Sequence, residues 1–219
     1  MSGNAPARAA MMPMAAPSIV SLWGGFLLPF PARRGQHMGM AVPVYYTAEM
    51  VRALPDDGNR YEVVYGELLV TPAPRLWHQV VVQRLSVALD LYLRTQPVGI
   101  VLSSPADISW GPDVLVQPDV FVATLEEIRT LTWSRVQRLL LVAEVLSPSS
   151  SRGDRFLKRI RYREAGVPLY WVVDGDDRLV EVWTPSDDFP VIQRDQLVWH
   201  PTGAREPLML SLEDLFRPL

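Results

Sequence analysis

The chain has 219 residues, 48% hydrophobic and 21% charged, with a formal net charge of −3; that apolar content is enough to bury a core and excludes wholesale disorder. It has no cysteine and three histidines, which excludes disulfides and thiolate metal sites and argues against a zinc enzyme. The mildly acidic balance provides no global basic field, so any contact with a polyanion depends on a local patch.

Residues 1–40 are rich in Ala, Pro, Met and Gly and contain no acidic residue. Their one apolar run, Ile19 to Phe30, is broken by Gly24, Gly25 and Pro29 and falls short of the roughly 20 residues that span a bilayer. Only Arg8 precedes the run and Pro-Ala-Arg-Arg34 follows it, a poor match to a secretory signal. The expectation is a disordered extension, read from an upstream start with Met38 or Met40 as the true one, ahead of a single domain over 41–219. The competing expectation is a signal or membrane tether.

Thr47 is a good N-cap and Pro55 a stop, which predicts a short helix from Thr47 to Leu54. Tyr61–Val64 and Glu67–Thr71 flank Tyr65-Gly66 and predict a hairpin. Val81, Leu85, Ala88, Leu89 and Tyr92 share a face, so Trp77 to about Leu93 is the longest predicted helix. Strands are expected at 99–103, 107–110, 114–117 and 119–123, then a short helix at 125–131. Leu139–Leu146 is a continuous apolar run interrupted by Glu144, the pattern of a central strand covered on both faces. A basic helix follows over 154–165, stopped by Gly166. Strands at 169–173 and 179–184, one or two more, and a helix at 211–216 close the chain. No internal repeat and no second core is visible: one mixed α/β domain.

Two acids stand out. Asp119 follows Pro118 at a strand start, and Glu144 lies inside an apolar strand, where a carboxylate is expensive to bury unpaired. Two carboxylates on adjacent strands can bind a hard divalent cation; equally, each could pair with one of the many arginines. The chain uses arginine twenty times and lysine once, at Lys158, fourteen residues after Glu144. Lysine, unlike arginine, can lose its proton when desolvated. Around it Arg152, Arg155, Arg159, Arg161 and Arg163 are opposed only by Asp154 and Glu164, which suits either phosphate contacts or a solvated helix face.

In order, Arg60-Tyr-Glu-Val-Val-Tyr-Gly-Glu-Leu68, His78, Gln117-Pro-Asp119, Glu144-Val-Leu-Ser-Pro-Ser149, Asp154, Lys158, Tyr162 and Gly166-Val-Pro-Leu-Tyr-Trp-Val-Val-Asp174 form a set that resembles the Uma-type family of restriction-endonuclease-like proteins, within the PD-(D/E)XK nuclease superfamily. The resemblance covers roughly residues 45 to 200. It implies a restriction endonuclease-like α/β fold: a central mixed sheet flanked by helices, with N-terminal and C-terminal β additions. It further implies a cytoplasmic, Mg2+- (or Mn2+-) dependent nuclease acting on nucleic acid, DNA before RNA. Asp119 and Glu144 match the metal-ligand positions, with Glu67 as a further candidate carboxylate. The superfamily lysine two residues after the acid is replaced here by Leu146, and Lys158 matches the position to which this family moves it. There it would orient or deprotonate water, or stabilise charge on phosphorus; Lys158→Ala is expected to abolish cleavage with folding and metal binding nearly intact. Gln117, His78, Asp154 and Tyr162 match supporting positions, and Arg152, Arg155 and Arg159 would hold flanking phosphates. A homodimer would supply two sites for double-strand cleavage; no membrane partner is implied. The alternative is a nuclease-like module that binds nucleic acid or protein without cutting.

Overall fold

The structure, a computed structural model, describes residues 44–147 and 152–219. The expectations for residues 1–40, and Pro148 and Ser149 of the matched motif, lie outside it. The first helix, α1 (Ala48–Arg52), begins where the Thr47 hydroxyl accepts the Met50 N–H at 3.2 Å. Next, β1 (Arg60–Val64) and β2 (Glu67–Thr71) pair as an antiparallel hairpin. Tyr65 and Gly66 both take positive φ in its turn (53° and 77°), the two-residue geometry that matches strand twist. The long helix is α2 (Leu76–Thr95), with Val81, Leu85, Leu89 and Tyr92 turned inward.

Six strands form the central sheet. They are β3 (Gly99–Ser103), β6 (Val120–Thr124), β7 (Leu139–Val145), β8 (Tyr170–Asp174), β9 (Leu179–Trp183) and β10 (Val191–Gln193), in the spatial order β10-β9-β8-β7-β6-β3. All neighbours are antiparallel except β7 and β8. That parallel pair follows from the helical crossover between them, since parallel strands cannot be joined by a tight turn. A second, antiparallel sheet is ordered β2-β1-β5-β4, with β4 (Ile108–Gly111) and β5 (Val114–Val116).

Side chains of the central strands alternate between two cores. Val120, Val122, Leu141, Ala143, Val145, Trp171 and Val173 pack with α2. Phe121, Val142, Tyr170 and Val172 face Val64 of β1 and Tyr162 of the crossover helix. Leu139–Val145 is almost wholly buried, as its apolar run predicts.

Three features differ from expectation. The C-terminal part holds three strands, β10 and the pair β11 (Gln196–Trp199) and β12 (Leu208–Ser211), before the last helix at Leu212–Leu215. The helix predicted to 131, α3 (Leu125–Ile128), stops at Ile128, and Leu131 adopts a left-handed φ of 52°. The basic helix opens with a π-helical turn, Gly153–Lys158, before its α-helical part, α4 (Arg159–Glu164). Among the described residues no helix is long and apolar enough to cross a membrane.

Candidate active site

The β6–β7 register pairs Val120 with Ala143, so one further step places Asp119 opposite Glu144. Hydrogen bonds lock this end of the sheet. The Asp119 N–H donates to Glu144 Oε2 at 3.3 Å, and the Val145 N–H donates to Asp119 Oδ2 at 2.8 Å. Strand pairing alone therefore brings the two sequence-identified acids together.

Lys158 reaches the same point from the crossover. Its Nζ lies 3.1 Å from Glu144 Oε1, 3.2 Å from Asp154 Oδ1 and 2.7 Å from Glu62 Oε2. The π-helical turn carries both Asp154 and Lys158 on its buried side, and such turns are frequent at functional sites. Tyr162 OH donates to Glu144 Oε1 at 2.8 Å, and Tyr170 OH to the Asp154 carbonyl at 2.9 Å. Glu62 is the residue that sequence reasoning missed. It sits in β1 with its side chain fully buried and accepts the Gln117 N–H at 2.7 Å. The signal was present, because Glu62 interrupts a β-branched strand as Glu144 does.

Seven polar or charged residues are buried among those described, and six of them, Glu62, His78, Asp119, Glu144, Asp154 and Lys158, belong to this one cluster. Burial by itself would raise the Asp119 carboxyl. The hydrogen bond from His78 (Nε2 to Oδ2, 3.1 Å) and the charges of Arg60, His78 and Lys158 hold it instead well below the usual carboxylate range. Arg60 Nη1 lies 2.6 Å from Asp119 Oδ1. Glu144 goes the other way: burial raises it well above the ordinary value, and Asp119, Asp154 and Glu62 add to that against Lys158. For Lys158, burial would favour the neutral amine, but Glu144, Glu62 and Asp154 together push it up. Lys158 is thus held as a cation here.

Asp119 opens onto a cleft of about 680 Å³ whose walls include Arg60, Arg75, His78, Gln117 and Ser147. A smaller cavity of about 130 Å³ touches Glu62, Asp154 and Lys158. Gln117 braces the site through its backbone and ties its amide to Asp107 at 3.0 Å. Glu67 is not brought in: it is exposed where β2 leaves the turn, opposite Val64. The arginine patch is also largely engaged. Arg155 pairs with Glu181 at 2.7 Å and Asp174 at 3.1 Å, Arg159 stacks 4.3 Å over Trp183, and Arg152 is exposed.

Asp119 and Glu144 are hard oxygen donors of the kind that magnesium and manganese take. Four acidic side chains, Glu62, Asp119, Glu144 and Asp154, face two basic ones, Arg60 and Lys158, an acid-rich balance that suits a divalent cation. Among the described residues no three His, Asp or Glu side chains converge to hold a metal on their own. The pair would leave the other positions to water and phosphate oxygens, as magnesium usually requires. In donor type and charge the residues fit such an ion.

Residues 48–217 match the family described as "Uma2: Putative restriction endonuclease". Among solved structures the chain is similar to "a putative nuclease belonging to DUF820 from Anabaena variabilis", with 22% identity and a TM-score of 0.67 over 78% of this chain and 97% of that one. That likeness shows the fold, which is restriction endonuclease-like with a central mixed sheet and flanking helices. No curated protein matches the chain.

Proposed function

The chain belongs to the Uma2 family of restriction-endonuclease-like proteins, and from that membership we propose that it is a divalent-cation-dependent nuclease hydrolysing phosphodiester bonds, with DNA the first substrate to try. One observation carries the site: six buried polar or charged side chains gather where two strand ends meet a cleft. Desolvating that many ionisable groups in one place is unfavourable, and such clusters mark functional sites. When bound, a divalent cation supplies Lewis acidity toward the phosphate. Asp119 and Glu144 would hold it. Lys158, fixed by Glu62 and Asp154, provides a permanent positive charge where charge builds on phosphorus. His78 and Gln117 keep Asp119 and Glu62 in place.

The test incubates the protein with supercoiled DNA, single-stranded DNA and RNA, with Mg2+, Mn2+ or EDTA. Cleavage that needs the metal and is lost in Asp119→Asn supports the proposal. Equal cleavage by that variant would sink it.

A second function, a nuclease-like module that binds without cutting, is favoured by the enclosure of Glu144 and Lys158, which are 0% and 1% exposed. Retained oligonucleotide binding with no cleavage under any metal would select it.

A further inference from the structure

Arg60 stands in an unusual place for a structural salt bridge. Its side chain is 20% exposed and lines the cleft, while its Nη1 lies 2.6 Å from Asp119 Oδ1. The other Asp119 oxygen is already taken by the Val145 N–H and His78, so Oδ1 is the one a metal would use. The guanidinium and a divalent cation therefore compete for one oxygen. Arg60 holds the inner face of the cleft only loosely elsewhere. It donates to the Gln117 carbonyl at 3.3 Å, lies 3.7 Å from Glu62 Oε2 through Nε, and that Nε makes no hydrogen bond among the described residues.

Resting on the metal-site proposal above, we infer that Arg60 is an exchange residue that couples phosphate binding to metal binding. In the free protein it neutralises Asp119. A phosphodiester entering the cleft offers two anionic oxygens to the guanidinium fork, a better-matched partner than one carboxylate oxygen. Arg60 then turns to the phosphate, and Asp119 Oδ1 becomes available to the cation. Neither exchange is favourable alone: phosphate alone takes the nearest counter-charge from buried Asp119, and metal alone leaves the Arg60 guanidinium without its partner. Phosphate and metal thus promote each other's binding, and by linkage the factor is the same in both directions. Arg60 acts here as a positioning residue, through Asp119.

The experiment titrates Mn2+ into the full chain by calorimetry, alone and with a thymidine dinucleotide carrying a phosphorothioate linkage. The wild-type affinity for Mn2+ should rise with the dinucleotide, by a factor in the usual coupling range of about 5–150. Arg60→Gln should bind Mn2+ alone at least about 5-fold more tightly than wild type and lose the response to dinucleotide. Arg60→Lys, which restores a cation beside Asp119, should return Mn2+ binding towards the wild-type level. A merely structural Arg60 gives the opposite sign, with weaker metal binding in Arg60→Gln. The inference is overturned if the dinucleotide leaves wild-type affinity unchanged, or if a folded Arg60→Gln binds Mn2+ no more tightly. Should Arg60→Gln fail to fold by circular dichroism, Arg60→Lys decides: it keeps a cation but not the guanidinium fork, so its response to the dinucleotide should fall below that of wild type, and an undiminished response overturns the inference. Asp119→Asn separates the two levels: unchanged Mn2+ affinity in that variant overturns the metal site itself, whereas lost affinity with no Arg60 effect overturns only the exchange.

Discussion

Lys158 Nζ lies 2.7 Å from Glu62 Oε2, closer than to either acid that the sequence placed beside it, Glu144 at 3.1 Å or Asp154 at 3.2 Å. The hairpin strand β1 is therefore part of the site, since it supplies a carboxylate that anchors the lysine.

Glu62→Gln keeps the shape of the side chain and its acceptor for the Gln117 N–H but removes the charge that fixes Lys158. Supporting residues of this kind typically cost about 10–100-fold in metal affinity or activity, and a single-turnover cleavage rate should fall by that amount. Glu67→Gln, on the exposed end of the same hairpin, should remain within about twofold of wild type. Full activity in Glu62→Gln, or equal losses in both, would remove Glu62 from the site.

Lys158→Ala should do more than stop cleavage. It leaves Glu62, Glu144 and Asp154 buried around a missing cation, and breaking a buried ion pair from one side costs about 3–5 kcal/mol. For a chain of this size that is a fall in Tm of roughly 6–20 °C. This departs from the expectation drawn from the sequence, in which the variant folds nearly normally; the difference is the burial of Lys158, 1% exposed. Thermal denaturation followed by circular dichroism checks it, and a melt within about 2 °C of wild type would contradict the enclosed cluster.

Much of the site was legible because its elements have strong local signals. The uninterrupted run Leu139–Val145 fixes a central strand, its one acid identifies Glu144, and Pro118 marks the strand start that brings Asp119 opposite it. What the pattern could not give was the sidedness of charged segments. Arg152–Arg163 reads as one basic face, yet its residues divide: Lys158 and Asp154 turn inward on a π-helical turn, while Arg155 turns to Asp174 and Glu181. Helical spacing arguments assume 3.6 residues per turn, and a π-helical turn shifts every later side chain around the axis. Glu62 carries no motif of its own, whereas Glu67 stands in the glycine turn motif on the other strand of the hairpin. Period two nevertheless puts Arg60, Glu62 and Val64 on one face of β1.

The metal-free protein should lose stability as pH rises, on account of Glu144. Its folded value is raised well above its ordinary 4.5, so the stability tied to it is present below about pH 4.5 and lost as pH climbs towards the folded value. Asp119 has the opposite sign: it is held below its ordinary 3.8, so its contribution is present at neutral pH and disappears only in strong acid. Glu144→Gln removes the first effect and leaves the second. Measured in EDTA, the Tm of Glu144→Gln relative to wild type should therefore rise between pH 5 and pH 8, by about 2–4 °C for each kcal/mol recovered, while cleavage is lost. Parallel curves for the two proteins across that range would show that Glu144 is not the group carrying the excess negative charge.

Nucleic-acid affinity should depend on the cleft rather than on the arginine-rich helix. Arg155 is tied to two acids at a partly exposed position, so Arg155→Ala should cost at most about 1 kcal/mol of stability and leave the salt dependence of oligonucleotide binding unchanged. Arg75 is exposed at the cleft wall, at the start of α2, and it makes no ion pair among the described residues. Each phosphate contact contributes about 0.7–0.9 to the slope of log affinity against log salt concentration, so Arg75→Ala should reduce that slope by about one contact's share. Fluorescence anisotropy with a labelled single strand between 50 and 200 mM salt, roughly the range where such slopes are resolved, measures both variants side by side. If Arg155→Ala lowers the slope and Arg75→Ala does not, phosphates run along the crossover helix, and the cleft above Asp119 is not their path.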